Sequence, residues 1–173
     1  MADNYLEKRM EDYLRGKRAA GRAKTSSQQR RTTAHIADKQ LFRNKKFCIV
    51  ACGAEEEGLL LASKLREMGA TVAVFTDGCK MLAQFVRLGT RVYSVDSDDD
   101  SEMEIKFAAV MRYYFNPYAV CNISTRISDD RLRAVVDEYE SSLPLPPANP
   151  TRLVSGPQET VLHNLEQFVK NKF

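Results

Sequence analysis

The chain has 173 residues, 43% of them hydrophobic, and no apolar run approaches the roughly 18 residues of a membrane span, so the composition excludes an integral membrane protein. Its amino terminus carries charges where a signal peptide needs an apolar core, and the expected location is the cytoplasm. The net charge of +3 hides an asymmetry: residues 15–46 hold eleven Lys or Arg against Asp38 alone, a net +10, which leaves −7 for the remainder.

Tyr5, Leu6, Met10, Tyr13 and Leu14 recur at helical spacing, with Asp3 or Asn4 able to cap, and predict an amphipathic helix over 4–15. So short a helix needs a surface to pack on. Residues 16–40 are rich in Arg, Ala, Ser, Thr and Gln without an apolar period. Residues 1–44 therefore read as a helix and basic arm, and 45–173 as the folded domain. The arm has an acidic body available to it, its own or a neighbour's, and a homo-oligomer joined through exchanged arms is the expected assembly. Nucleic acid is not the expected partner, because no aromatic residue lies between Tyr13 and Phe42 to stack on bases.

From Lys45 onward, short β-branched runs alternate with amphipathic segments, the pattern of a mainly parallel sheet covered on both faces. Strands are predicted at 47–51, 71–75, 91–95 and 119–123, and helices at 56–68, 78–88, 101–115 and 128–141. Asn116-Pro117 ends the third helix, and Ser128 can cap the fourth. After the proline-rich linker 143–150, Arg152-Leu-Val-Ser155 makes a short fifth strand. Pro157 then opens a last helix whose apolar face is Val161, Leu162, Leu165, Phe168 and Val169. Short right-handed crossovers make 3-2-1-4-5 the first choice of strand order and 2-1-3-4-5 the second.

The run Phe47-Cys-Ile-Val-Ala-Cys-Gly53-Ala-Glu-Glu-Glu-Gly58 reads as a buried strand, a glycine turn and a helix start. Gly53 and Gly58 stand where the first and last glycines of G-x-G-x-x-G stand, with Glu55 at the middle position. Three further landmarks follow in order: Thr76-Asp77 at the end of strand two, Val95-Asp96 at the end of strand three, and Val120-Cys-Asn122-Ile-Ser124 at the end of strand four.

On these residues, 45–124 resemble the amino-terminal half of the short-chain dehydrogenase/reductase family, within the Rossmann-fold NAD(P)-binding proteins. The resemblance implies a three-layer α/β fold with about five strands and a dinucleotide site at Gly53, Glu55, Gly58, Thr76, Asp77, Asp96 and Asn122. Asp96 would meet the adenine and Asn122 would lie beside the cofactor. Each landmark also has a plain structural use: Asp77 and the acids from Asp96 to Asp100 can cap helices, and Asn122 can turn the chain out of a strand.

The chain departs from the family at two places. A helix start favours an anion by roughly 0.3–2 kcal/mol, whereas unit charges about 5 Å apart repel by about 1–3 kcal/mol. Glu55, Glu56 and Glu57 thus oppose a pyrophosphate, and they are expected to sit at the positive helix end in its stead. Binding of NAD or NADP is expected to be weak or absent. No Tyr-x-x-x-Lys follows Asn122 to serve as the family's acid/base pair, and Tyr13 and Lys17, which have the spacing, lie in the arm.

Cys48, Cys52, Cys79 and Cys121 form no C-x-x-C pair and read as buried reduced thiols, and no Cys/His grouping has metal-ligand spacing. Three functions stay open: a non-catalytic binding or assembly protein with a degraded NAD(P) site, an NAD(P)-dependent oxidoreductase completed by a partner chain, and a nucleic-acid-binding protein using its arm.

Overall fold

The structure is a computed structural model, and the residues it describes are Arg9, 39–78, 80–113 and 117–171. The chain divides into two units, Met1–Lys39 and Gln40–Phe173. In the first unit only Arg9, helical and exposed, and Lys39 are described, so the helix predicted over 4–15 and most of the basic arm lie outside the described residues.

The second unit is an α/β domain of strands β1 (Lys46–Val50), β2 (Thr71–Thr76), β3 (Arg91–Ser94), β4 (Ala119–Asn122) and β5 (Arg152–Ser155). Helices α1 (Glu55–Glu67), α2 (Leu82–Arg87), α3 (Asp100–Tyr113), α4 (Asp129–Ser141) and α5 (Gln158–Lys170) alternate with them. All neighbouring strands pair in parallel, in the order β3-β2-β1-β4-β5. This is a three-layer Rossmann-like fold.

Period-two alternation sends successive side chains of each strand to opposite layers. Phe47, Ile49 and Ala51 of the first strand and its exit join Val72, Val74, Ala119 and Cys121 under α1, α2 and α5. Cys48, Val50 and Cys52 join Ala73, Phe75 and Val120 under α3 and α4. The central strands are buried on both faces, which is why they read as unbroken apolar runs. Edge-to-face ring pairs lock both layers, Phe42 on Phe47 at 5.1 Å and Phe75 on Phe107 at 5.6 Å between centroids. Phe42 is fully buried and its amide donates to Met68 O at 3.0 Å, so the core begins before the first strand.

The end of α1 has a local reason. Past α1, Gly69 takes a left-handed φ of +86°, its N–H bonds Arg66 O at 3.0 Å, and Ala70 N–H reaches back to Leu65 O at 3.0 Å. These two reversed bonds satisfy the last carbonyls and turn the chain into β2. The start of α3 is capped by Asp99, whose Oδ1 accepts Ser101 N–H at 3.0 Å, rather than by Asp96. On the outer face Arg131 of α4 ties the two helices together, 3.1 Å from Asp100 and 3.0 Å from Glu104 of α3.

Two predicted starts differ. The second helix begins at Leu82 rather than at 78, with Met81 before it, and Asp77 is bonded to Gly53 and Arg126. Ser128 does precede α4, but its hydroxyl makes no capping bond.

Gly58 fixes how closely α1 approaches the sheet: a Cβ there would lie 2.7 Å from the Ala51 Cβ, inside any real carbon contact. Gly58→Ala gains about 1 kcal/mol of helix propensity and loses about 1–3 kcal/mol to overpacking. The expected result in urea titrations is a lower unfolding midpoint than wild type. Adding Ala51→Gly should recover part of the loss, and strict additivity of the two changes would show that the pair is not in contact.

Candidate functional site

In a sheet of order β3-β2-β1-β4-β5, the chain winds outward in one direction from β1 and in the other from β4, and their carboxyl ends diverge into a crevice between the layers. The loops after β1, β2 and β4 meet there. The first is the glycine turn. Gly53 is exposed with a φ of +76°, Ala54 N–H closes the turn onto Ala51 O at 3.0 Å, and α1 begins at Glu55 without a side-chain cap. Positive φ at this point is open to glycine at little cost.

The loop after β4 folds over this turn. Asn122 organises it: Oδ1 accepts Ser124 N–H at 3.1 Å, and Nδ2 donates to Ile127 O at 3.1 Å and to Asp129 Oδ1 at 2.6 Å. Ser124 Oγ donates to Cys52 O at 2.8 Å and accepts the amides of Arg126 and Ile127 at 3.0 and 3.1 Å. Thr125 N–H joins Cys52 O as well, at 3.1 Å. The space above Gly53 is so fully taken that a Cβ there would strike Thr125 Oγ1.

Asp77 joins all three loops. Its Oδ1 accepts Gly53 N–H at 2.8 Å and its Oδ2 accepts Arg126 Nη1 at 2.6 Å, while Nη2 of the same guanidinium lies 3.7 Å from Asp98 Oδ1. Burial pushes the Asp77 carboxyl up, but the Arg126 and Gly53 hydrogen bonds outweigh it and hold the group below its ordinary value. Asp77 in turn raises the guanidinium of Arg126.

The residues expected at a dinucleotide site therefore separate. Gly53, Asp77 and Asn122 are brought together; Gly58 serves helix packing. Glu55 turns toward β2, where its Oε1 accepts from Thr76 Oγ1 at 3.3 Å and lies 2.5 Å from where a Cβ on Gly78 would stand. Thr76 Oγ1 also accepts Gly78 N–H, at 3.2 Å. Asp96 is exposed past β3 and makes no hydrogen bond or ion pair among the described residues. The carboxylate on the turn amide is Asp77 and not one of the three glutamates, of which Glu56 and Glu57 point to solvent.

Arg126, 49 residues from Asp77 in the chain, was given no role by sequence reasoning. Its one signal is that it is the single basic residue between Asn122 and Asp130.

Beside the Asp77 bridge, a cavity of about 750 Å³ opens over the carboxyl ends of β4 and β5. The first turns of α1, α4 and α5 border it, and among the described residues its wall carries Glu57, Asp129 and Glu159 with Arg126 as the one cation. Among the described residues no His, Lys, Tyr or Cys lines it. The nearby thiol of Cys52 is pushed up to about 12 by burial and then by the Asp77 charge, and burial raises Cys48 to about 12. Among the described residues the wall offers carboxylates, hydroxyls, amides and one guanidinium that can bind and orient a ligand. Among the described residues no cluster of metal-ligating side chains occurs, and no helix is long and apolar enough to cross a membrane.

No protein-family model matches the chain, and no curated protein does. Among solved structures it is similar to mycobacterial Rv1454c complexed with NADPH, at 13% identity and a TM-score of 0.36, over 81% of this chain and 49% of that one. The chain thus spans about half the length of that protein.

The Asp77 bridge has a pH signature. A carboxyl held below its ordinary value of 3.8 stabilises the fold above that pH, and the contribution is lost as pH falls through the depressed value. Asp77→Asn should therefore lower the urea midpoint at about pH 7 and show a much smaller deficit at about pH 2.5. An equal deficit at both would mean that the charge of Asp77 is not what the bridge uses.

Proposed function

We propose that the chain is a non-catalytic binding protein of Rossmann type, related to short-chain dehydrogenases, in which Asp77 stands where a dinucleotide's pyrophosphate would need to be. The observation that carries this reading is the 2.8 Å bond from Gly53 N–H to the Asp77 carboxylate, backed by Arg126 at 2.6 Å. The turn amide that a phosphate oxygen requires is bonded within the chain, and the loop holding Arg126 covers the turn. The acidic first turn of α1 adds repulsion. The cavity over β4 and β5 has the size of a small-molecule site.

Calorimetric titration of NAD and of NADP into the wild-type protein tests this. No saturation is expected below about 1 mM ligand. A micromolar dissociation constant for either would overturn the reading in favour of an oxidoreductase completed by a partner chain.

The same proposal gives residues 1–38 a role in self-association, supported by the apolar stripe from Tyr5 to Leu14 and by the opposed charges of arm and body. Deleting 1–38 spares Phe42 and the core it belongs to. Light scattering should show a smaller particle than for the full chain, and an unchanged mass rules out assembly through the arm.

A further inference from the structure

Helix α3 has two apolar faces where the fold uses one. Met103, Phe107, Val110 and Met111 are buried against the sheet. On the far side Ile105, Ala109 and Tyr113 recur every four residues, Ile105 71% and Tyr113 78% exposed, with the small Ala109 half-buried between them. Arg131 of α4 holds Asp100 and Glu104, so α4 lies against a different flank of α3. Single exposed apolar residues are ordinary, but three in register along one helix make a seam.

The layer that carries this seam also carries the negative charge of the domain. Residues 96–141 hold eleven Asp or Glu against five Lys or Arg, a net −6, and all eleven acids lie on α3, on α4 or on the entry to α3. The rest of the chain after Lys46 holds seven acids against eight bases, a net +1. The opposite layer exposes Leu60, Leu82 and Val86, but without an excess of either charge.

Residues 1–38 match both features. Leu6, Met10 and Leu14 repeat the four-residue spacing, and either stripe covers about 12 Å of helix axis. Ala109 leaves room between Ile105 and Tyr113 for a larger side chain. Behind the amino-terminal stripe, residues 15–38 hold seven Lys or Arg against Asp38, a net +6. Phe42 N–H bonds Met68 O past α1, and Phe42 packs in the layer of α1, α2 and α5. The domain is thus entered on the side of the sheet away from α3, and an arm seated on a second copy need not wrap around its own sheet.

We propose that the exposed face of α3, with the acids of α4 beside it, is the docking surface for residues 1–38 of a second copy. Ile105, Ala109 and Tyr113 take the apolar stripe, and the acidic layer takes the basic segment that follows it. The proposal rests on the self-association reading above and names its surface. The apolar seam fixes the register, and the opposed charges steer the encounter.

Light scattering on wild type, Ile105→Glu/Tyr113→Glu, Leu60→Glu/Val86→Glu and the 1–38 deletion provides the test. The α3 variant should fall to the mass of a single chain, as the deletion should, while Leu60→Glu/Val86→Glu keeps the wild-type mass. All four substituted residues are more than half exposed, so the urea midpoints should stay close to wild type. Ile105→Ala/Tyr113→Ser, which removes apolar area without adding charge, carries the comparison if the glutamates disturb α3. A wild-type mass for the α3 variant overturns the proposal. If the deletion still lowers the mass, the arm docks elsewhere and the self-association reading stands. A mass lowered by the α3 variant but not by the deletion overturns both, since the copies then meet without the arm, and a single-chain mass for wild type overturns both as well.

Discussion

A single carboxylate joins three of the loops that leave the carboxyl edge of the sheet. Asp77 follows β2, Gly53 follows β1 and Arg126 follows β4, and the Asp77 side chain bonds both of the others. The crossing of the chain between β1 and β4 leaves backbone amides and a positive helix end facing a crevice, and those groups need an anion. This chain supplies the anion from its own second loop. The loop over Gly53, the short α2 and the cavity beside β5 all take their places around that choice. The helix α2 has no acidic residue in its first turn and starts at Leu82, four residues later than expected.

The architecture was legible because its signals are local. Phe47 to Cys52 form an unbroken apolar run, and only a strand covered on both faces buries every member of such a run. Gly58, at the last glycine position of the motif, packs α1 close against Ala51. The ends of α1, α3 and α4 lie within a residue or two of expectation, since apolar periodicity and terminal glycines or prolines mark them.

The site was less legible because its bonds are tertiary. Asp77 has the same local features as a helix cap, and nothing in its neighbourhood says that a guanidinium 49 residues away will claim it. The three glutamates drew the argument by their number, yet the turn amide goes to Asp77 and Glu55 finds Thr76 instead. Asp96 matched a landmark by order alone. It lies two strands from β1 at the sheet edge, exposed, where order in the sequence carries no information about contact.

The internal origin of the bridging anion bears on how the folded population responds to the cell. A Rossmann-type domain whose loops are joined by a cofactor gains stability with cofactor supply, by about 2.7 kcal/mol when the ligand stands at a hundred times its dissociation constant. Its resistance to proteolysis and its steady-state abundance then rise and fall with metabolism. Here the joining group is encoded in the chain and arrives with it at synthesis, in fixed stoichiometry. On the proposed reading, in which the site takes no dinucleotide, maturation needs no loading step and turnover of the folded protein is insulated from the nucleotide pool.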